Sequence, residues 1–174
     1  MPTLAETIAM TTPVSHLLRK ARRLGIRDTG DMLALAATRG CHHYARNSEA
    51  QPSSVSRNEL SDAELTMLLL LGENKYDPSA IRCAAQLARS PFIDPVKLGR
   101  LAVMEKCERV VAHIARAGIE HDPQGFQFWN QLLQQISSPK ARSEPDLPHW
   151  SRFVSMPGIQ RSGSAVTRWL SPNP

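Results

Sequence analysis

The sequence predicts an all-α protein: a compact antiparallel bundle of about four core helices over residues 61–136, preceded by a basic helical pair and followed by a proline-rich tail. Helix-start signals recur along the chain, apolar residues repeat at helical spacing, and no convincing pair of strand-like segments occurs. The chain has 174 residues, 41% of them apolar, so it can bury a core of its own.

Residues 1–40 are predicted to form the basic N-terminal helical pair. Thr12 is a good N-cap residue and is followed by proline, which favours the first helical position, so a helix is expected over 13–24. Gly25 can adopt the left-handed conformation that ends such a helix. A second helix is expected from residue 28 or 29 to Gly40.

The rest of the chain divides by composition into three further parts. Residues 41–60 are polar and aperiodic, which predicts a linker. Residues 61–136 carry the apolar periodicity of a helical core domain. Residues 137–174 are rich in proline and lose that periodicity, so they are predicted to be a tail, although aromatic residues are spread through them.

Four helices are predicted in the core domain. Ser61 and Glu64 have the spacing of a capping box, and the helix that they open is apolar nearly all round up to Leu71, as expected for a helix buried on several sides. Three Asp-Pro pairs each place a capping carboxylate before a proline. These pairs predict helices over residues 78–89, 95–117 and 123–136.

The net charge of +5 is distributed unevenly along the chain. Residues 1–40 hold six basic and three acidic residues, and residues 137–174 hold five and two. The core domain holds eight basic and nine acidic residues, so it is nearly balanced. The excess positive charge therefore lies in the two ends, which are where an acidic partner is expected to bind.

The candidate contact residues follow from this distribution. The first helix concentrates cationic side chains on its surface, and the tail carries large aromatic residues that are poorly suited to a free solvated coil. Those aromatics either fold back over the helical core or anchor a partner, and the sequence leaves both readings open. The candidate partner-binding residues are Arg19, Lys20, Arg22, Arg23, Trp150, Phe153 and Trp169.

No residue is assigned to catalysis, and no cofactor is predicted. The run of Cys41, His42 and His43 is the most metal-like segment, but zinc sites usually use spaced pairs of ligands, and no second half-site is recognisable. The chain also lacks a nucleophile elbow, a glycine-rich phosphate loop and the metalloprotease helix motif. These three residues are therefore only weak metal-ligand candidates.

The interpretation that these observations favour is a non-enzymatic helical protein-protein interaction protein, such as an adaptor, a chaperone or an accessory component of a bacterial-type assembly. One alternative is a nucleic-acid-associated protein that binds phosphates through its basic ends. A second is a small helical enzyme or metal-binding protein around Cys41, His42 and His43. With no signal peptide and no apolar run long enough to cross a bilayer, the expected location is cytoplasmic.

Overall fold

The computed structural model describes residues 15–42, 55–136, 146–149, 158–159, 165–166 and 169–173. The protein is all-α, as predicted. The described part of the chain contains seven α-helices: α1 (His16–Arg23), α2 (Thr29–Thr38), α3 (Asp62–Leu68), α4 (Pro78–Leu87), α5 (Pro95–Met104), α6 (Glu108–His121) and α7 (Phe126–Gln134). Two 3-10 turns, Gly72–Tyr76 and Pro123–Gly125, precede α4 and α7.

One strand pair interrupts the helical pattern, although none is predicted from the sequence. Strands β1 (Gly158–Ile159) and β2 (Ala165–Val166) are antiparallel, with Gly158 opposite Val166. Each strand is only two residues long, so the pair leaves the fold class unchanged.

Most of the predicted helix starts are confirmed by their capping bonds. The Ser61 hydroxyl accepts from the Glu64 amide at 3.2 Å and the Glu64 carboxylate accepts from the Ser61 amide at 2.8 Å, which completes the capping box. Asp28, Asp77 and Asp94 cap α2, α4 and α5 with their carboxylates, which accept from amides of the first turn. The cap of α1 is Ser15, later than expected, and the predicted cap Thr12 lies outside the described residues.

The single long helix predicted over 95–117 is wrong, because the chain forms two helices there. Lys106 has a left-handed φ of 58°, which ends α5. Its amide donates to the Val103 carbonyl at 3.2 Å, and the Cys107 amide donates to the Ala102 carbonyl at 2.8 Å. These two bonds are the pair that defines a Schellman cap, normally built on glycine.

Replacing Lys106 with glycine is expected to raise the free energy of unfolding by about 0.5–1 kcal/mol. A residue with a side chain pays about 1–2 kcal/mol to adopt the left-handed conformation, and glycine does not. Glycine loses more backbone entropy on folding, but this costs only about 0.5–1 kcal/mol, so the substitution is stabilising. Urea denaturation measures the change. Lys106→Ala is the control because it removes the long side chain and keeps the Cβ atom; an equal gain from both variants would contradict the explanation.

The apolar helix that begins after Ser61 is shorter than predicted. It ends at Leu68, and the Leu70 and Leu71 amides bond three residues back, to the carbonyls of Met67 and Leu68. The Asn74 side chain also donates to the Leu68 carbonyl at 3.1 Å. The remaining leucines stay buried, so the apolar run marks the centre of the core correctly even though it is not all helix.

A single hydrophobic cluster draws on all seven helices and, within the described residues of the C-terminal part, on buried Trp169, with Leu147 packed against it. The most extensive contacts between helices lie between α6 and α7, between α5 and α7, and between α3 and α4. Cys41 and Leu60, at the two ends of the predicted linker, are both fully buried in this cluster. None of the helices in the described ranges combines the length and the apolar character needed to cross a bilayer.

Candidate functional site

Helix α1 is held on the body by one face. Leu17 and Ala21 are buried there. The Ser15 hydroxyl donates to the Glu105 carboxylate beyond the end of α5, and the Lys20 ammonium pairs with the Glu64 carboxylate at 2.7 Å. Contacts at both ends and along the buried side therefore fix the rotation of α1 about its axis.

The opposite face of α1 is cationic and exposed. An α-helix advances by about 100° per residue, so the four exposed side chains occupy one arc of about 120° directly away from the core. An open cleft of about 470 Å³ lies beside them. We call this surface the α1 basic face, and its residues are His16, Arg19, Arg22 and Arg23.

Three of the four predicted cationic contact residues thus share one face, and the fourth does not. Lys20 is half-buried in its ion pair with Glu64, so it positions α1 rather than facing solvent. Burial works to raise the pKa of Glu64, but the hydrogen bonds from Lys20 and from the Ser61 amide outweigh it and hold that pKa below its ordinary value.

Replacing Lys20 with methionine is expected to raise the pKa of Glu64. The desolvation of the carboxylate remains while its strongest stabilising partner is lost. Because the folded-state pKa is depressed, the stability from this group is present above its unfolded pKa, about 4.3, and is lost as the pH falls through the folded value. In Lys20→Met that loss should begin at higher pH.

Carbon-13 NMR titration of the Glu64 carboxyl group measures this shift directly, and acid denaturation of the same samples follows its effect on stability. Arg22→Met, on the α1 basic face, is the matched control, and the Glu64 pKa should keep its wild-type value there. The same Glu64 pKa in wild type and Lys20→Met would show that the ion pair does not set it.

The metal-like segment is divided by the fold. Cys41 is fully buried in the core, His42 is exposed, and His43 lies outside the described residues. The pKa of the Cys83 thiol is raised well above its ordinary value, mainly by a hydrogen bond with Cys41 and next by burial. Burial also raises the pKa of the Cys107 thiol, to about 12. Among the described residues, no three His, Cys, Asp or Glu side chains cluster as metal ligands would.

A buried polar network around Asp62 was not anticipated from the sequence. The Arg39 guanidinium donates to Asp62 Oδ1 at 3.0 Å and to the Val55 carbonyl at 3.2 Å. Arg57 Nε lies 3.2 Å from both carboxylate oxygens, and the Ser90 hydroxyl donates to Oδ2 at 2.5 Å. Burial lowers the pKa of Arg39, and the Asp62 carboxylate opposes that effect. The network joins α2, α3 and the end of α4.

A second buried carboxylate, Asp122, accepts hydrogen bonds from three other residues. Its Oδ2 accepts from Arg89 Nε at 2.7 Å and from Trp129 Nε1 at 2.8 Å, while Oδ1 accepts from the Gly125 amide at 3.1 Å. The Arg89 guanidinium also lies 5.3 Å from the centre of the Phe128 ring. Each oxygen of both carboxylates accepts at least one hydrogen bond from within the chain, so the two aspartates join residues that are distant in sequence.

The predicted aromatic contact residues of the tail have different outcomes. Trp150 and Phe153 lie outside the described residues, so their role stays a prediction. Trp169 is only 8% exposed and packs against Trp129, with ring centres 4.8 Å apart. Folding back on the core therefore accounts for Trp169, and it is not available as a solvent-exposed anchor.

Large exposed apolar side chains occur at positions outside the predicted contact residues. Met104 is 76% exposed and immediately precedes Glu105, the residue that binds the N-cap of α1. Val103 beside it is also exposed. These two exposed apolar residues therefore directly precede the residue that contacts the start of α1.

Comparison of the chain with known protein families, with curated proteins and with solved structures finds no match.

Proposed function

We propose that this protein is a non-enzymatic interaction protein that binds an acidic protein partner through the α1 basic face. The observation that carries the proposal is the arrangement of α1: one face is anchored by Leu17, Ala21 and Lys20, and the opposite face consists of exposed basic residues. Because α1 is already held in place, binding a partner does not incur the conformational-entropy cost of ordering this helix. A cluster of positive charges also speeds association with a negatively charged surface.

The neighbourhood of the α1 basic face favours a protein over a nucleic acid. Val103 and Met104 have exposed side chains and directly precede Glu105 in the sequence, and the Glu105 carboxylate accepts from the Ser15 hydroxyl at the start of α1. A protein surface can cover apolar and cationic groups together, and methionine and arginine are both enriched in such interfaces. A phosphate backbone would bind only the cationic part.

Charge reversal at two positions tests the proposal. Arg22→Glu/Arg23→Glu reverses the α1 basic face, and Lys97→Glu/Arg100→Glu makes the same charge change at exposed positions of α5. Each full-length protein is used to capture partners from the native host, and bound proteins are quantified by mass spectrometry. We expect acidic proteins to be depleted at least tenfold with the α1 variant and retained with the α5 variant.

Two outcomes would count against the proposal. Equal depletion by both variants would mean that only net charge matters. Binding of the wild type to a DNA or RNA oligonucleotide at low salt, lost in the α1 variant, would assign the α1 basic face to nucleic acid. Fluorescence anisotropy at several salt concentrations measures that second outcome.

A further inference from the structure

The last described segment of the chain, Trp169–Asn173, contacts the helical body through a buried indole and two main-chain hydrogen bonds. Its indole is buried against Trp129 of α7, with an angle of 60° between the ring planes. The Asn173 amide donates to the Gly40 carbonyl at 3.0 Å, just beyond α2. Gln86 of α4 donates through Nε2 to the Ser171 carbonyl at 3.3 Å. Three helices that are separate in sequence therefore hold one short peptide.

These contacts have the form of peptide recognition. One large side chain fills a pocket, and the remaining hydrogen bonds are made to main-chain groups of the peptide, which any extended segment carries. We call the site, formed by Gly40, Gln86 and Trp129, the C-terminal groove. Its contacts specify an aromatic anchor and an extended backbone.

Two features of Gly40, its positive φ and its lack of a side chain, suit both the end of α2 and the C-terminal groove. Its φ of +107° is a conformation that residues with a side chain rarely adopt. A Cβ atom on Gly40 would also lie 2.9 Å from the Asn173 nitrogen and 3.0 Å from the Pro172 Cβ. The missing side chain is therefore what allows the peptide backbone to approach this closely.

The segment is held less completely than the core it touches. Trp129 Nε1 donates to Asp122, whereas Trp169 Nε1 is buried and has no acceptor in the part of the chain that the structure describes. A buried donor without a partner weakens the docked state. The segment belongs to none of the seven described helices, so it can leave the C-terminal groove without unfolding any of them.

We propose that the C-terminal groove is a docking site for an extended, tryptophan-bearing segment of another protein, and that Trp169–Asn173 occupies it as an exchangeable intramolecular ligand. The segment seated there defines the chemistry of the partner: an indole for the pocket against Trp129 and a main chain for Gly40 and Gln86. Such a partner competes with the chain's own segment at its local effective concentration. This site is independent of the α1 basic face.

The test uses a full-length Trp169→Ala variant, in which the C-terminal groove is left open, and a fluorescent peptide with the sequence of residues 165–174. We expect anisotropy to show binding at least tenfold tighter to Trp169→Ala than to the wild type, where the chain's own segment competes. A peptide with alanine in place of the tryptophan should not bind. Circular dichroism should show wild-type helicity in Trp169→Ala.

A glycine comparison localises the binding. In the Trp169→Ala background, Gly40→Ala should abolish peptide binding. Gly72→Ala should preserve it, because Gly72 also has a positive φ of 56° but a Cβ atom there meets nothing within 4 Å.

Several results would overturn the proposal: no binding to Trp169→Ala, equal binding to Trp169→Ala and to the wild type, or loss of helicity in the variant, which would make the segment part of the fold. A concentration-dependent dimer abolished by Trp169→Ala would overturn it too, because the occupant would then be a second copy of the chain.

Discussion

Replacing Asp62 with alanine is expected to lower the free energy of unfolding by about 3–5 kcal/mol, the usual cost of removing one partner from a buried ion pair. The Asp62 side chain is fully buried, and that of Arg39 is only 4% exposed. Without the carboxylate, the Arg39 guanidinium keeps its charge in the core and loses its anion, while the Ser90 hydroxyl loses its acceptor. Urea denaturation monitored by circular dichroism measures the change.

The control for Asp62 is another acidic residue at a helix start. Asp94 caps α5 and is exposed, so Asp94→Ala should cost only about 1 kcal/mol. If Asp62→Ala costs no more than Asp94→Ala, the network around Asp62 does not stabilise the fold as argued. Replacing the pair together, as Arg39→Met/Asp62→Leu, should recover much of the loss because no buried charge is then left unpaired.

The helix ends show where sequence reasoning succeeds and where it stops. Gly25 and Gly40 both have positive φ and both end helices with the same two Schellman bonds that Lys106 makes. Glycine adopts that conformation without strain, so the first two ends are visible in the sequence. Lys106 gives no such signal, because lysine rarely adopts a left-handed φ and so does not mark a helix end in the sequence. The break between α5 and α6 was therefore not predicted.

The aspartates show the same limit at longer range. The local role of Asp122 is predictable, because an aspartate before a proline caps the turn that follows it. Its bond to Arg89, beyond the end of α4, joins residues 33 positions apart, which no local pattern encodes, and its bond to Trp129 depends on how α7 is placed after the turn. Asp62 is similar: it reads as an ordinary first-turn acidic residue, yet it lies at the centre of a buried network.

The exposed face of α1 could be predicted from local helical spacing, but the contacts that hold α1 and Trp169 on the core could not. Burial of Leu17 and Ala21 follows from helical spacing, and the exposed face of α1 follows from their position. The pairing of Lys20 with Glu64 and the docking of Trp169 against Trp129 join residues that are distant in sequence. The sequence therefore identified the cationic residues but could not separate the one that anchors α1 from those that face outward.

Replacing Gly118 with alanine is expected to lower the free energy of unfolding by about 2 kcal/mol. A Cβ atom on Gly118 would come closer than 3.0 Å to three atoms of the Trp129 indole, a separation that real Cβ atoms do not show. The ring cannot easily move away, because Asp122 holds its nitrogen and Trp169 packs against it. Alanine gains about 1 kcal/mol in helix propensity, but overpacking a rigid core costs about 3 kcal/mol.

A double-mutant cycle separates the steric clash from other effects of Gly118→Ala. In a Trp129→Leu background the aromatic ring is absent, so adding the alanine methyl group should cost less than about 1 kcal/mol, and the two substitutions should be strongly non-additive. The free energies of unfolding of all four proteins, measured by urea denaturation, give the coupling energy. Additive costs would show that the close approach of Gly118 to Trp129 does not determine how tightly α6 and α7 pack. Because Trp129 also forms the wall of the C-terminal groove, Gly118→Ala should weaken the docking of Trp169 as well.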